Sequence, residues 1–230
     1  MRRNEKILRI KDELLHAGYC ISWEQRKLGE ITSLITKGTT PKDKSGSGGV
    51  NFIKVENIDN SSGMISGMSK ISLEEHNGYL KRSQLNENDI LFSIAGTLGR
   101  VTTVNKAVLP ANTNQALAII RLKEGNLQYV KTCLKGNVVT DFVKKNPTIG
   151  AQPNLSLEQV SSLEIAMPSI EEQQLIGVYF EQLDHLITLH QHKSKVLRFA
   201  KKLFLGNSVS WEIILLNTQQ RQLSIINIQF

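Results

Sequence analysis

From Pro168 onward the apolar positions settle into a seven-residue repeat. Ile176, Leu183, His190, Leu197 and Phe204 recur in register, and Leu175, Leu189, Val196 and Leu203 run beside them. This spacing predicts a helix over residues 169–205 with an apolar seam. Ser169 and Glu172 supply the serine-to-glutamate spacing of a capping box directly after Pro168, which marks the helix start. At 1.5 Å per residue such a helix is roughly 50 Å long. One modest domain does not bury that length, so a partner helix is expected against the seam.

Upstream the pattern shortens. Val50–Val55, Ile90–Ile94 and Ala116–Leu122 are brief apolar or alternating runs bounded by polar turns, as strands are. Phe92 and Ile119 belong in the core. Leu127, Val130, Leu134, Val138 and Phe142 form a helical stripe, weakened at Gly136. Ser156 with Gln159 opens another short helix by a capping box, and a strand ending at Pro168 follows. The stretches Gly38–Gly49 and Asn112–Gln115 have loop composition.

The fold class expected is therefore α+β, a globular domain over residues 19–168 followed by the long helix over 169–205. An amphipathic helical segment over 1–18 precedes it, with Ile7, Leu8, Leu14 and Leu15 on one face and Gly18 as its stop. Residues 206–230 are rich in glutamine, asparagine and isoleucine and show no period. One echo stands out: Gly18-Tyr-Cys-Ile-Ser-Trp-Glu24 returns as Gly206-Asn-Ser-Val-Ser-Trp-Glu212. It suggests a repeated unit as large as the domain, which begins again and then fails.

Charge changes the picture only a little. Lysine and arginine number 28 against 21 aspartates and glutamates, with pI near 9.4. Residues 23–168 carry 17 basic and 13 acidic side chains. That surplus permits a polyanionic partner without requiring one. Cys20 and Cys133 are isolated, which fits a reducing cytoplasm better than a disulfide framework. No apolar run approaches the roughly 18 residues that span a membrane.

The machinery of an enzyme is missing from the sequence. Ser93-Ile-Ala-Gly-Thr-Leu-Gly-Arg100 lacks the lysine of a phosphate loop and the glycine order of a dinucleotide fingerprint. Asn146-Pro147-Thr148 is not the tetrad of amino-methyltransferases. The histidines His16, His76, His185, His190 and His192 have no metal spacing, and no metal site is expected. A non-catalytic chain is the reading.

Three polar segments suit a nucleic acid, where cations meet phosphates and mixed donors and acceptors read base edges. Lys37, Thr39, Thr40, Lys42 and Lys44 lie on a loop punctuated by glycine and proline. Thr113, Asn114 and Gln115 place two amides after a strand turn. Lys144 and Lys145 precede Gln152 and Asn154, residue types that pair with adenine. The same residues are also ordinary loop formers.

At this point the chain resembles a known family. Trp23-Glu-Gln-Arg-Lys-Leu-Gly-Glu30 is similar to the opening of a target-recognition domain in the DNA-specificity subunit of type I restriction–modification enzymes. Phe92–Arg100 resembles its central strand and turn, which adds Thr97 and Arg100 to the candidate DNA contacts. Gly150-Ala-Gln-Pro-Asn-Leu-Ser156 resembles the closing motif, and Ala166–Gln173 with Leu183-Asp184 and Leu189–Lys193 resembles the conserved spacer helix.

The resemblance implies a subunit that reads half of a bipartite site in double-stranded DNA and catalyses nothing. Modification (methyltransferase) subunits dock on its helices, and restriction subunits add translocation and cleavage. The chain itself needs no cofactor; S-adenosylmethionine and ATP belong to the partners. Ile176, Leu183, His190, Leu197 and Phe204 become the spacer-helix interface. The sequence departs from the family in carrying one recognition domain, with the second opening motif broken off after Trp211-Glu212. Two states satisfy this: a half-length subunit that self-associates through its helix, or an inactive truncated fragment. A coiled-coil protein-interaction module without DNA binding is the alternative from another class.

Overall fold

The computed structural model describes residues 23–43, 45–145 and 154–206, with side chains as far as Lys202. The helical segment expected over 1–18, Lys44, Gln152, the side chain of Phe204 and the tail beyond Gly206 lie outside the described residues. In chain order the elements are β1 (Glu24–Lys27), β2 (Thr32–Lys37), β3 (Val50–Ile53), β4 (Ser69–Ile71), α1 (Leu73–Asn77), β5 (Ile90–Ser93) and β6 (Val101–Thr103). There follow β7 (Ala111–Thr113), β8 (Leu117–Leu122), α2 (Leu127–Lys135), α3 (Asn137–Lys145), α4 (Leu157–Ser161), β9 (Glu164–Met167) and α5 (Ile170–Gly206). The mixture is α+β with a long C-terminal helix, as expected.

The centre is an antiparallel sheet in the order β2-β8-β5-β6. Every residue of β5 is buried. Successive strand residues face opposite sides, so Ile90, Phe92, Ala118 and Ile120 join one core with Val130, Leu134, Val139, Val160 and Ile165. Leu91, Leu117 and Ile119 join another with Ile53, Ile58, Leu85 and Val108. A strand covered on both sides needs apolar residues at consecutive positions, which is why these segments read as continuous runs. A second sheet, β4-β3-β7, supplies the cover on the Ile119 side. Its outer face packs Val50 and Phe52 on Ile71 and Leu80.

One expected loop is a strand instead. Asn112 and Thr113 lie in β7, which runs parallel to β3, and both are fully buried. Burying such polar groups is costly unless each finds a partner. The Asn112 amide donates to Leu80 O (2.8 Å) and Ser83 Oγ (3.1 Å), and its oxygen meets His76 Nδ1. The Thr113 hydroxyl donates to Ile53 O at 2.8 Å. Internal bonding turns two loop-like residues into core.

The two ends of the domain close on each other. β1 pairs antiparallel with β9, from Glu24 opposite Met167 to Lys27 opposite Glu164, and the Leu28 amide continues to Leu163 O at 2.8 Å. The weak point at Gly136 is a break between α2 and α3, with the glycine amide capping the carbonyls of Thr132 and Cys133. Both anticipated capping boxes form. Ser156 and Gln159 bond reciprocally at α4, and Ser169 and Glu172 do so at α5.

The base of α5 is pinned to α2. Gln173, only 4% exposed, accepts from the Asn126 amide and donates to Pro168 O, each at 2.9 Å. Gly177 lies against the same turn; a Cβ there would stand 2.7 Å from Asn126 Oδ1 and 3.1 Å from Tyr129 N. Ile176 packs on the domain core. It is partly buried there, so part of the residue expected on a partner seam is turned to the domain itself. The chain divides into two units between Glu181 and Gln182. In the second, Leu183 is half-buried, His190 is exposed, and Leu197 and Phe199 are 60% and 65% exposed.

Gly177→Ala tests this anchor. Alanine gains about 1 kcal/mol of helix propensity over glycine, but its methyl intrudes on the α2 cap. The expected outcome is a net loss of about 1–2 kcal/mol from overpacking, seen as a lower melting temperature by circular dichroism. A raised melting temperature would mean that α5 is not held there.

Candidate nucleic-acid interface

The register of the central sheet decides where its loops open. Lys37 lies opposite Ala118, Ser93 opposite Leu117, and Phe92 opposite Val101. The end of β2, the start of β8, the end of β5 and the start of β6 therefore share one end of the sheet. The loops after Lys37, before Leu117 and between Ser93 and Val101 emerge together. Leu155 joins them by donating its amide to Ile94 O at 2.8 Å, which brings exposed Asn154 to the same end.

Close backbone contact locks two of these loops together. The Gly38 amide donates to Leu117 O (3.2 Å) and the Thr39 amide to Thr113 O (2.9 Å). A Cβ on Gly38 would stand 2.1 Å from Thr113 O, so only glycine fits. The Thr40 hydroxyl donates to the Gln115 side-chain oxygen. That bond orients the Gln115 amide while leaving its NH2 group to donate elsewhere. Asn114 uses its own oxygen to accept from the Ala116 amide at 3.2 Å, shaping the turn.

The β5–β6 turn is held by Ser93, which is buried. Its hydroxyl donates to Thr97 O (2.6 Å) and accepts from the Arg100 amide (2.7 Å). Gly96 and Gly99 adopt φ of 75° and 82°, the left-handed region that glycine enters freely. Thr97 is left exposed on this turn.

Of the sequence-predicted contacts, Lys37, Thr39, Thr40, Lys42, Thr97, Asn114, Gln115 and Asn154 thus come together. One other is corrected and a second is partly engaged. Thr113 is buried and its hydroxyl is engaged, as described above. Arg100 Nη1 donates to Val55 O (3.1 Å) and Ile58 O (2.8 Å), so one end of the guanidinium braces the turn at residues 55–58, while its Nε is buried without a partner. Lys144 and Lys145 are exposed on the last turn of α3, with the Lys144 ammonium 3.4 Å from Asp141.

Two residues at this end went unread in the sequence. The Lys42 ammonium lies 4.5 Å from the centre of the Tyr79 ring, and Arg82 Nη2 is 3.4 Å from Thr39 Oγ1. An aromatic residue closely followed by two cations, Tyr79-Leu-Lys81-Arg82, is a pattern that could have marked them. The Lys42 and Asp43 amides both donate to Glu75 Oε1, at 2.7 and 3.2 Å, which ties the loop to α1. Hydrogen bonds from the Ser45 amide and hydroxyl hold the Asp43 carboxyl below its ordinary range. Among the described residues, no cluster of three or more histidine, cysteine or carboxylate side chains could hold a metal. No described helix is long and apolar enough to cross a membrane.

The fold thus gathers polar and cationic side chains from separate loops at one sheet end. Residues 21–198 match the family model described as the type I restriction modification DNA specificity domain. The chain belongs to this family. It is 30% identical over 139 residues to the type I restriction enzyme EcoBI specificity subunit of Escherichia coli, a match covering 59% of this chain and 28% of that protein.

Among solved structures it is similar to the HsdS subunit from Thermoanaerobacter tengcongensis, with TM-score 0.59 and 16% identity over 80% of this chain and 48% of that one. A second structure, from work on assembly and conformational transition of the type I restriction–modification system, gives TM-score 0.56 and 18% identity over 88% of this chain and 52% of the other. The chain thus spans about half the length of these structures and less of the curated relative. The family is defined by DNA specificity, and the expectation of a recognition component rather than an enzyme agrees with it.

Thr113→Val separates scaffold from contact. Valine keeps the shape but strands Ile53 O, so stability should fall by about 1–3 kcal/mol in denaturant unfolding. DNA sequence preference, read by selection from a random duplex pool, should be unchanged. A shifted preference would return Thr113 to the reading face.

Proposed function

We propose that this chain is the sequence-reading component of a type I restriction–modification complex. It recognises one half of a bipartite site in double-stranded DNA and docks an adenine-modifying subunit on its long helix. The observation that carries the reading is the convergence of separate polar loops at one end of the central sheet. Gln115, its amide pinned by Thr40, is the first candidate for reading adenine; Asn154 and Thr97 flank it. Lys37 supplies phosphate contact, as do Lys144 and Lys145 beyond the bonded set. Such contacts position the protein, while base contacts carry the sequence information.

The exposed apolar residues of the distal helix, Leu186, Ile187, Leu189, Val196, Leu197 and Phe199, support pairing through α5. Two copies related by a two-fold axis would read a palindromic, gapped site. S-adenosylmethionine and ATP chemistry resides on the modification and restriction subunits, and the assembly works in the cytoplasm.

Single-molecule methylation sequencing of DNA from cells making this chain with its modification subunit tests the proposal. The expected result is a palindromic, gapped adenine-methylation motif. Gln115→Ala should relax one position in each half-site, since a bidentate contact is worth about 1–3 kcal/mol of discrimination. No motif at all, with both proteins soluble, would refute the proposal and favour a module that binds only protein.

A further inference from the structure

We infer that Lys42, Tyr79 and Arg82 form a phosphate-gripping ridge beside the base-reading loops, in which Tyr79 positions Lys42. The inference rests on the DNA-recognition role proposed above. All three side chains are exposed, Tyr79 by 52%. The Lys42 ammonium stands over the tyrosine ring at 4.5 Å, an attraction between a cation and the negative ring face. The Lys42 backbone is itself fixed by Glu75. A lysine held in this way loses less freedom on meeting a phosphate than a free one does.

Arg82 reaches Thr39 Oγ1 at 3.4 Å, so the two cations flank the loop whose Thr40 orients Gln115. Two carboxylates stand nearby, and the Oε2 of Glu75 is buried without a hydrogen-bond partner. Glu75 faces the amides of Lys42 and Asp43, and Asp43 faces Ser45. The ligand that fits is the sugar–phosphate backbone alongside the half-site, gripped without regard to sequence.

The test uses the full chain with its modification subunit, titrated with specific and random duplex DNA over a range of salt. Lys42→Ala and Arg82→Ala should each weaken both duplexes alike and reduce the slope of log affinity against log salt by about 1. The methylation motif should stay the same. Tyr79→Phe should behave as wild type, whereas Tyr79→Ala should cost affinity in the wild-type background and nothing further on Lys42→Ala. Unchanged slopes in both cation variants, or an altered motif, would overturn the ridge while leaving wild-type recognition intact. If the wild-type complex binds no duplex, the recognition role itself falls, and the ridge with it.

Discussion

Double burial of the β5–β8 pair is the constraint from which the rest of the domain follows. Ile90, Leu91 and Phe92, and Leu117 to Ile120, are fully shielded from water. Because neighbours on a strand face opposite ways, the sheet must be covered twice. Helices α2 to α4 with β9 supply one cover, and the β3 sheet with the segments around Ile58 and Val108 supplies the other. With both faces occupied, the sheet's ends remain available for solvent-facing chemistry. One end is taken by the β1–β9 closure and the base of α5. The loops hold the other.

The parts of this fold legible in the sequence are those whose signal is local. The β5 and β8 runs, the two serine capping boxes and the seven-residue repeat each state their conformation within a few residues. Strands β1 and β6 were not legible, because Glu24-Gln-Arg-Lys27 and Val101-Thr-Thr103 owe their pairing to partners far along the chain. Asn112 and Thr113 misled for a related reason. Their composition is that of a loop, and only the carbonyls of Leu80 and Ile53 make them core. Ile176 is legible as apolar, but its packing on this domain's own core is not.

The site divides along the same line. That residues 37–42 and 114–115 form polar loops follows from glycine, proline and amide content. That they touch depends on strand order and register, which no single segment encodes. Arg100 illustrates the gap: a turn arginine reads as a phosphate ligand, and only the fold sets its Nη1 on the carbonyls of Val55 and Ile58. Tyr79 and Arg82 are the converse: their aromatic-then-cation pattern is a weak local signal, and the fold alone sets them beside Lys42 and Thr39.

Strand β8 ties the loop end of the sheet to the base of α5. At its start, Leu117 and Ala118 border the loops that carry Gln115 and Lys37. At its end, Leu122 leads within a few residues to Asn126, whose amide and side chain meet Gln173 and Gly177 of α5. Six extended residues span only about 20 Å, and those of β8 are hydrogen-bonded to β2 on one side and β5 on the other. The polar loops at the first end are thus separated from the anchor at the second by the paired length of the strand. The anchor in turn tolerates little, since Gly177 has no room for a methyl group and Gln173 satisfies two backbone groups at once. The polar loops and the contact by which the first turns of α5 meet the domain thus lie at opposite ends of one strand.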